Sequence, residues 1–133
     1  MRSWHDYQLN GYRVDSGRKE LSLSLMWPEH TSVEVPSAQL VFSGVVDYFF
    51  EHDLGTNIVF AIEESPIESF VRENARVFEQ EQKWGWPRSW KGSVAETIRH
   101  LKENQLKVWV LSTSYGLSGW ILGLEATENA KAA

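Results

Sequence analysis

Cysteine is absent from the 133 residues, which excludes disulfides, thiol nucleophiles and thiolate metal sites and agrees with a reducing compartment. No run approaches the roughly 18 apolar residues of a membrane-spanning helix, and the opening stretch MRSWHDYQLNGYRVDSG has no apolar core of signal-peptide length. A cytoplasmic protein without membrane contact is the expectation. Positive charge is scarce: 13 Lys and Arg against 18 Asp and Glu leave a formal charge of -5. That balance argues against a nucleic-acid binder, which usually presents a basic face to phosphate. There is no phosphate-cradling glycine loop and no Gly-x-Ser-x-Gly elbow. The hydroxyls of Ser112, Thr113 and Ser114 have no partnered base nearby in the chain. With no motif for an obvious chemistry, the balance leans away from an enzyme, and no cofactor is implied.

The charge that is present is unevenly spread. Residues 1–46 hold four basic and five acidic side chains, residues 47–81 two and nine, and residues 82–133 seven and four. A concentrated acidic middle can steer a basic partner, although runs of charge commonly mark a solvated face.

Strand-forming residues are densest over residues 38–65, AQLVFSGVVDYFFEHDLGTNIVFAIEES. They predict a central hairpin with arms 38–51 and 57–64 around Gly55. In the first arm Leu40, Phe42, Val46, Tyr48 and Phe50 share an apolar face interrupted by Gly44, while the opposite face is mixed. Upstream, residues 5–15 read as a strand with a bulge at Asn10-Gly11, and Leu21, Leu23, Leu25 and Trp27 alternate with polar or flexible neighbours as a strand with one buried face. These two should pair. Residues 28–37, with two prolines, read as a loop.

After the hairpin the period changes. Ser65-Pro66-Ile67-Glu68 has the form of a capping box with proline at the first helical position, and Ile67, Phe70, Val71, Ala75 and Phe78 recur at helical spacing to about residue 82. A second box, Ser93 to Glu96, starts a shorter helix to about residue 103. Alternation then returns over 106–111 and 117–125, and Gly119 and Gly123 on one face of the last strand imply close approach of another backbone or a large ring. The expectation is one α+β domain over residues 1–126, an antiparallel sheet of about six strands with two helices inserted between strands four and five, and a frayed tail over 127–133.

Three groups of residues suggest sites. Asp47, Glu51, Glu63, Glu64, Glu68 and Glu73 form the acidic middle, a surface for a basic protein partner; with the two arms paired, Glu63 shares the partly covered face with Asp47 and Glu51. Trp84, Trp86 and Trp90 lie in one segment and offer a stacking platform for a small molecule or sugar. His5-Asp6 and His52-Asp53 supply metal-ligand chemistry for a hydrolase, without the helical spacing that brings two ligands onto one face. The half-apolar second sheet face also admits a homodimer.

Four short motifs carry a resemblance: Trp4-His5-Asp6, Phe42-Ser43-Gly44-Val45, Asn57-Ile58-Val59, and Ser114 to Gly119. Their layout resembles small uncharacterised bacterial proteins, some grouped with predicted toxin-immunity proteins. The resemblance implies a bacterial, non-enzymatic binding role and supplies no catalytic residues.

Overall fold

The computed structural model describes residues 3–27 and 37–130. The proline-containing loop, apart from Ser37, and the last three residues lie outside that range. Eight strands, β1 (Gln8–Asp15), β2 (Glu20–Met26), β3 (Ala38–Ser43), β4 (Asp47–Glu51), β5 (Asn57–Ser65), β6 (Lys107–Tyr115), β7 (Ser118–Gly123) and β8 (Glu125–Ala130), occur among the described residues. Helices α1 (Ile67–Glu81) and α2 (Val94–Glu103) lie between β5 and β6, with a single 3₁₀ turn, Gln82–Trp84, after α1. The architecture is α+β with one antiparallel sheet in the order β4-β7-β6-β5-β1-β2-β3-β8.

The two ends of that order meet. The chain bends at Gly44 (φ 62) between β3 and β4, and again at Leu124 between β7 and β8. The two bent runs pair along their length, from Ala38 opposite Ala130 through Ser43 opposite Glu125 to Glu51 opposite Ser118. Backbone bonds from Leu124 N to Ser43 O and from Val46 N to Leu122 O, each 2.9 Å, carry the pairing past the bends. Because β3 also pairs with β2 and β7 with β6, the sheet returns on itself as a barrel of six staves, two of them bent. Its interior is filled by side chains, as in other small barrels: Leu9, Leu23, Leu40 and Val59 are fully buried, and Phe42 meets Trp109 edge-on at 5.2 Å.

A second core lies outside the barrel wall. On β6, Trp109 and Leu111 point inward and Val108 outward, so both faces of this strand are buried near its start. Ile67, Phe70, Val71 and Phe78 of α1 and Leu101 of α2 cover Val108, Trp120 and Leu122, which is the apolar stripe read from the sequence meeting the outer face of the sheet.

Several expectations are corrected. The sheet has eight strands rather than six, and the helices follow the fifth strand rather than the fourth. The central hairpin does not form: β3 pairs with β2 and β8, β4 with β7, and β5 with β1 and β6. The reason is the bend at Gly44, where a Cβ would lie 2.5 Å from Leu124 Cδ1; it turns β4 away from its neighbour in sequence. Residues 127–130, read as a frayed tail, are strand residues opposite 38–41. At α1 the Ser65 box is not made, since Ser65 ends β5 and Pro66 takes the cap position without a side-chain bond. Ser93 does cap α2, accepting from Glu96 N at 3.1 Å.

The β1–β2 hairpin pairs as expected, with its irregularity between Leu9 and Gly11. Gly119 and Gly123 are also sites of close approach: a Cβ at Gly119 would overlap the Phe49 carbonyl and come within 2.8 Å of the Phe50 ring, and one at Gly123 would sit 3.0 Å from Ser43 O. Gly119→Ala is therefore expected to destabilise the protein by about 3 kcal/mol or more in urea unfolding. Gly11→Ala, where an added methyl meets nothing within 4 Å, should change stability by less than about 0.5 kcal/mol.

Candidate binding cleft

The bulge in β1 sets the first wall of a cleft. Residues directly opposite share a face, so the register of Tyr12 with Leu23 and Val14 with Leu21 places both on the barrel's inner side. Yet they are 42% and 40% exposed, because β1 pairs with β5 only at Gln8 and Leu9. Beyond Leu9 the wall is open. Across the gap lies β4, and Tyr12 touches Phe50 there, edge to face at 4.9 Å.

The second wall is the segment after the 3₁₀ turn. Asp47, only 5% exposed, accepts the backbone amides of Arg88 and Ser89 at 3.0 Å each, and Gln82 Nε2 donates to the Trp86 and Pro87 carbonyls at 3.1 Å. Trp86 stacks on Trp120 at 5.7 Å and approaches Phe49 at 5.9 Å. Between the walls opens a cleft of about 780 Å³, floored by β4, a volume within the range of small-ligand and peptide sites.

The charges in the cleft are unequal in their engagement. Asp47 is held as described, Asp15 accepts the Arg18 amide at 3.1 Å, and Glu20 lies 3.6 Å from the Arg18 guanidinium. Lys19, Arg88 and Lys91 line the same cleft, are exposed, and have no ion-pair partner among the described residues.

The acidic residues do not act as one surface. Because β4 and β5 are not neighbours, Asp47 and Glu51 are separated from Glu63 and Glu64. Glu63 and Glu64 instead join Glu125, Glu128 and Lys107 around a second cleft of about 600 Å³ floored by Leu40, Ile62 and Trp109. Glu68 is ion-paired with Lys102 across the helices, and Glu73 is exposed on α1. The three tryptophans separate as well: Trp90 is 8% exposed with its Nε1 donating to Glu79 at 2.6 Å, Trp86 lines the cleft, and Trp84 stands 75% exposed beside Lys83.

The two His-Asp pairs have local roles. His5 Nδ1 lies 3.2 Å from the Phe60 carbonyl and its Nε2 3.5 Å from Asp6; His52 adopts a positive φ of 62 at the turn after β4. Asp53 accepts from Asn57 Nδ2 at 3.0 Å and Gly55 N at 2.9 Å, bonds that hold its carboxyl below the ordinary range. Among the described residues no group of three or more His, Cys, Asp or Glu is placed to hold a metal ion. Asn57 is the hub here, 2% exposed, donating to the Leu9 carbonyl at 3.2 Å and accepting from Leu54 N at 3.1 Å and Leu117 N at 2.8 Å.

Sequence reading singled out Asp47 and Trp86 of the cleft but not Tyr12, Val14, Val46, Tyr48 or Phe49 as contact residues. The signal of Tyr12, Val14, Val46 and Tyr48 was apolar alternation, which reads as core when it is unknown that their strands have a neighbour on one side only at these positions. Asp47→Ala would strand two backbone amides and free the second wall; a loss of about 2 kcal/mol in urea unfolding is expected, together with faster tryptic cleavage after Arg88. No helix among the described residues is long and apolar enough to cross a membrane. Comparisons with protein-family models, with curated proteins and with solved structures find no match to this chain.

Proposed function

We propose that this protein is a non-enzymatic binding protein, of the immunity type implied by the resemblance, and that it engages its partner through the cleft beside β4. The observation that carries the reading is the gathering of Tyr12 (42% exposed), Val14 (40%), Val46 (39%), Tyr48 (38%) and Phe49 (37%) around one opening. Apolar side chains scattered singly on a surface are ordinary, whereas a contiguous aromatic patch rimmed by charge is the mark of a contact surface. The carboxylates that line the cleft are engaged by backbone amides or by Arg18. This arrangement suits adhesion better than proton transfer.

A second reading has its own observation. Glu63, Glu64, Glu125 and Glu128 surround the other cleft with Lys107 as the cation among them, which supports contact with a basic partner there. The two readings separate by mutation. A partner retained from the lysate of the source cells should be lost from Val46→Glu/Tyr48→Glu, with affinity falling about tenfold or more, and kept by Glu63→Lys/Glu64→Lys. The reverse pattern selects the acidic cleft, and a partner indifferent to both pairs defeats both readings.

A further inference from the structure

We infer that the free edge of β4 is a strand-addition site for an extended acidic segment of a partner protein; the inference rests on the β4 cleft being the contact surface. Asp47, Tyr48, Phe49 and Phe50 all line the cleft. Successive strand residues point to opposite faces, so an opening that touches four in a row runs along the strand's edge and not over either face. On its other side β4 is paired with β7; on the cleft side it has no strand neighbour among the described residues. Its five residues offer about 17 Å of unpaired backbone. The bond from Val45 N to Lys19 O, 2.9 Å, closes the edge just before the strand begins.

A chain added there would find a wall for each of its alternating side chains. Tyr12 and Val14 stand on the barrel side and Trp86 on the helix side, and alternate side-chain contact of this kind gives strand addition its specificity. Charge supplies the sign. The protein as a whole is at -5, which favours basic partners in general, but the exposed charges of this cleft without a hydrogen-bond or ion-pair partner among the described residues are Lys19, Arg88 and Lys91. Its carboxylates accept backbone amides (Asp15, Asp47) or face Arg18 (Glu20). Carboxylates of an incoming segment complement them, and charge complementarity across an interface selects partner and register.

The test is selection of a displayed library of random peptides on the folded protein, counter-selected on Val46→Glu/Tyr48→Glu. Enriched peptides are expected to carry more Asp and Glu than Lys and Arg, to lack central proline, and to weaken about tenfold or more on Lys19→Glu/Arg88→Glu/Lys91→Glu, a variant of three exposed positions whose fold near-ultraviolet circular dichroism checks. The leading peptide is then made with N-methyl groups on alternate amides, in each of the two registers. One register should abolish binding and the other retain it, because only alternate amides face the β4 edge. Equal binding by both, or enrichment of basic sequences, overturns strand addition by an acidic segment while leaving the cleft as a contact surface. Absence of any peptide enriched over the counter-selected variant overturns both. A dimer in sedimentation that dissociates on Val46→Glu/Tyr48→Glu would show the edge to be filled by a second copy, and also overturns the inference.

Discussion

The structure depends on the close crossing of two bent runs, residues 38–51 over 118–130. At three points side chains are reduced to hydrogen so that backbones can meet: Gly44 under Leu124, Gly119 under the Phe49 carbonyl, and Gly123 under that of Ser43. The crossing joins β3 to β8 and β4 to β7, and so turns an eight-stranded ladder into a closed wall. Closure removes most exposed strand edge, which is the standing hazard of antiparallel sheets. Among the described residues it leaves β4 and β8, each beyond its bend, with one neighbour apiece, and the larger cleft opens along the edge of β4.

Two polar residues hold what apolar packing alone would leave loose. Asp47, at the start of β4, receives the amides of Arg88 and Ser89 and thereby fixes the tryptophan segment against the sheet. Asn57, at the start of β5, ties the carbonyl of Leu9 to the turn before it and to Leu117 between β6 and β7. Each is nearly inaccessible to water and bonds backbone groups from distant segments, several of them buried. Between them lies β6, covered by the barrel core on one face and by α1 and α2 on the other.

The cleft differs in charge from the molecule around it. In an acidic protein its lining sets Lys19, Arg88 and Lys91, without ion-pair partners among the described residues, against Asp15, Glu20 and Asp47. Of these carboxylates Asp47 is buried under two backbone amides, Asp15 accepts one and Glu20 faces Arg18. Net charge is therefore a poor guide to what this surface receives, since field and contact act over different distances. The second, acid-rimmed cleft at Glu63 and Glu64 keeps the overall sign and offers the opposite selectivity.

Local pattern by itself determined the elements: the β1–β2 hairpin with its bulge, the amphipathic stripe of α1, the Ser93 cap of α2, and the tight approach at Gly119 and Gly123. The first three follow from interactions within a few residues or from a periodicity that one strand or helix imposes on its own side chains, and the glycines mark where a distant backbone must come close. Tertiary structure alone decided the pairing of β3 with β8 and of β4 with β7, because β8 lies 82 to 92 residues along the chain from β3 and β7 lies 67 to 75 from β4 and nothing local encodes that distance. Neighbours in turn decided the site. Leu40 and Phe42 became core while Val46 and Tyr48, in the same apolar alternation, became the lining of a cleft, since burial is a property of what lies opposite a side chain and not of the side chain itself.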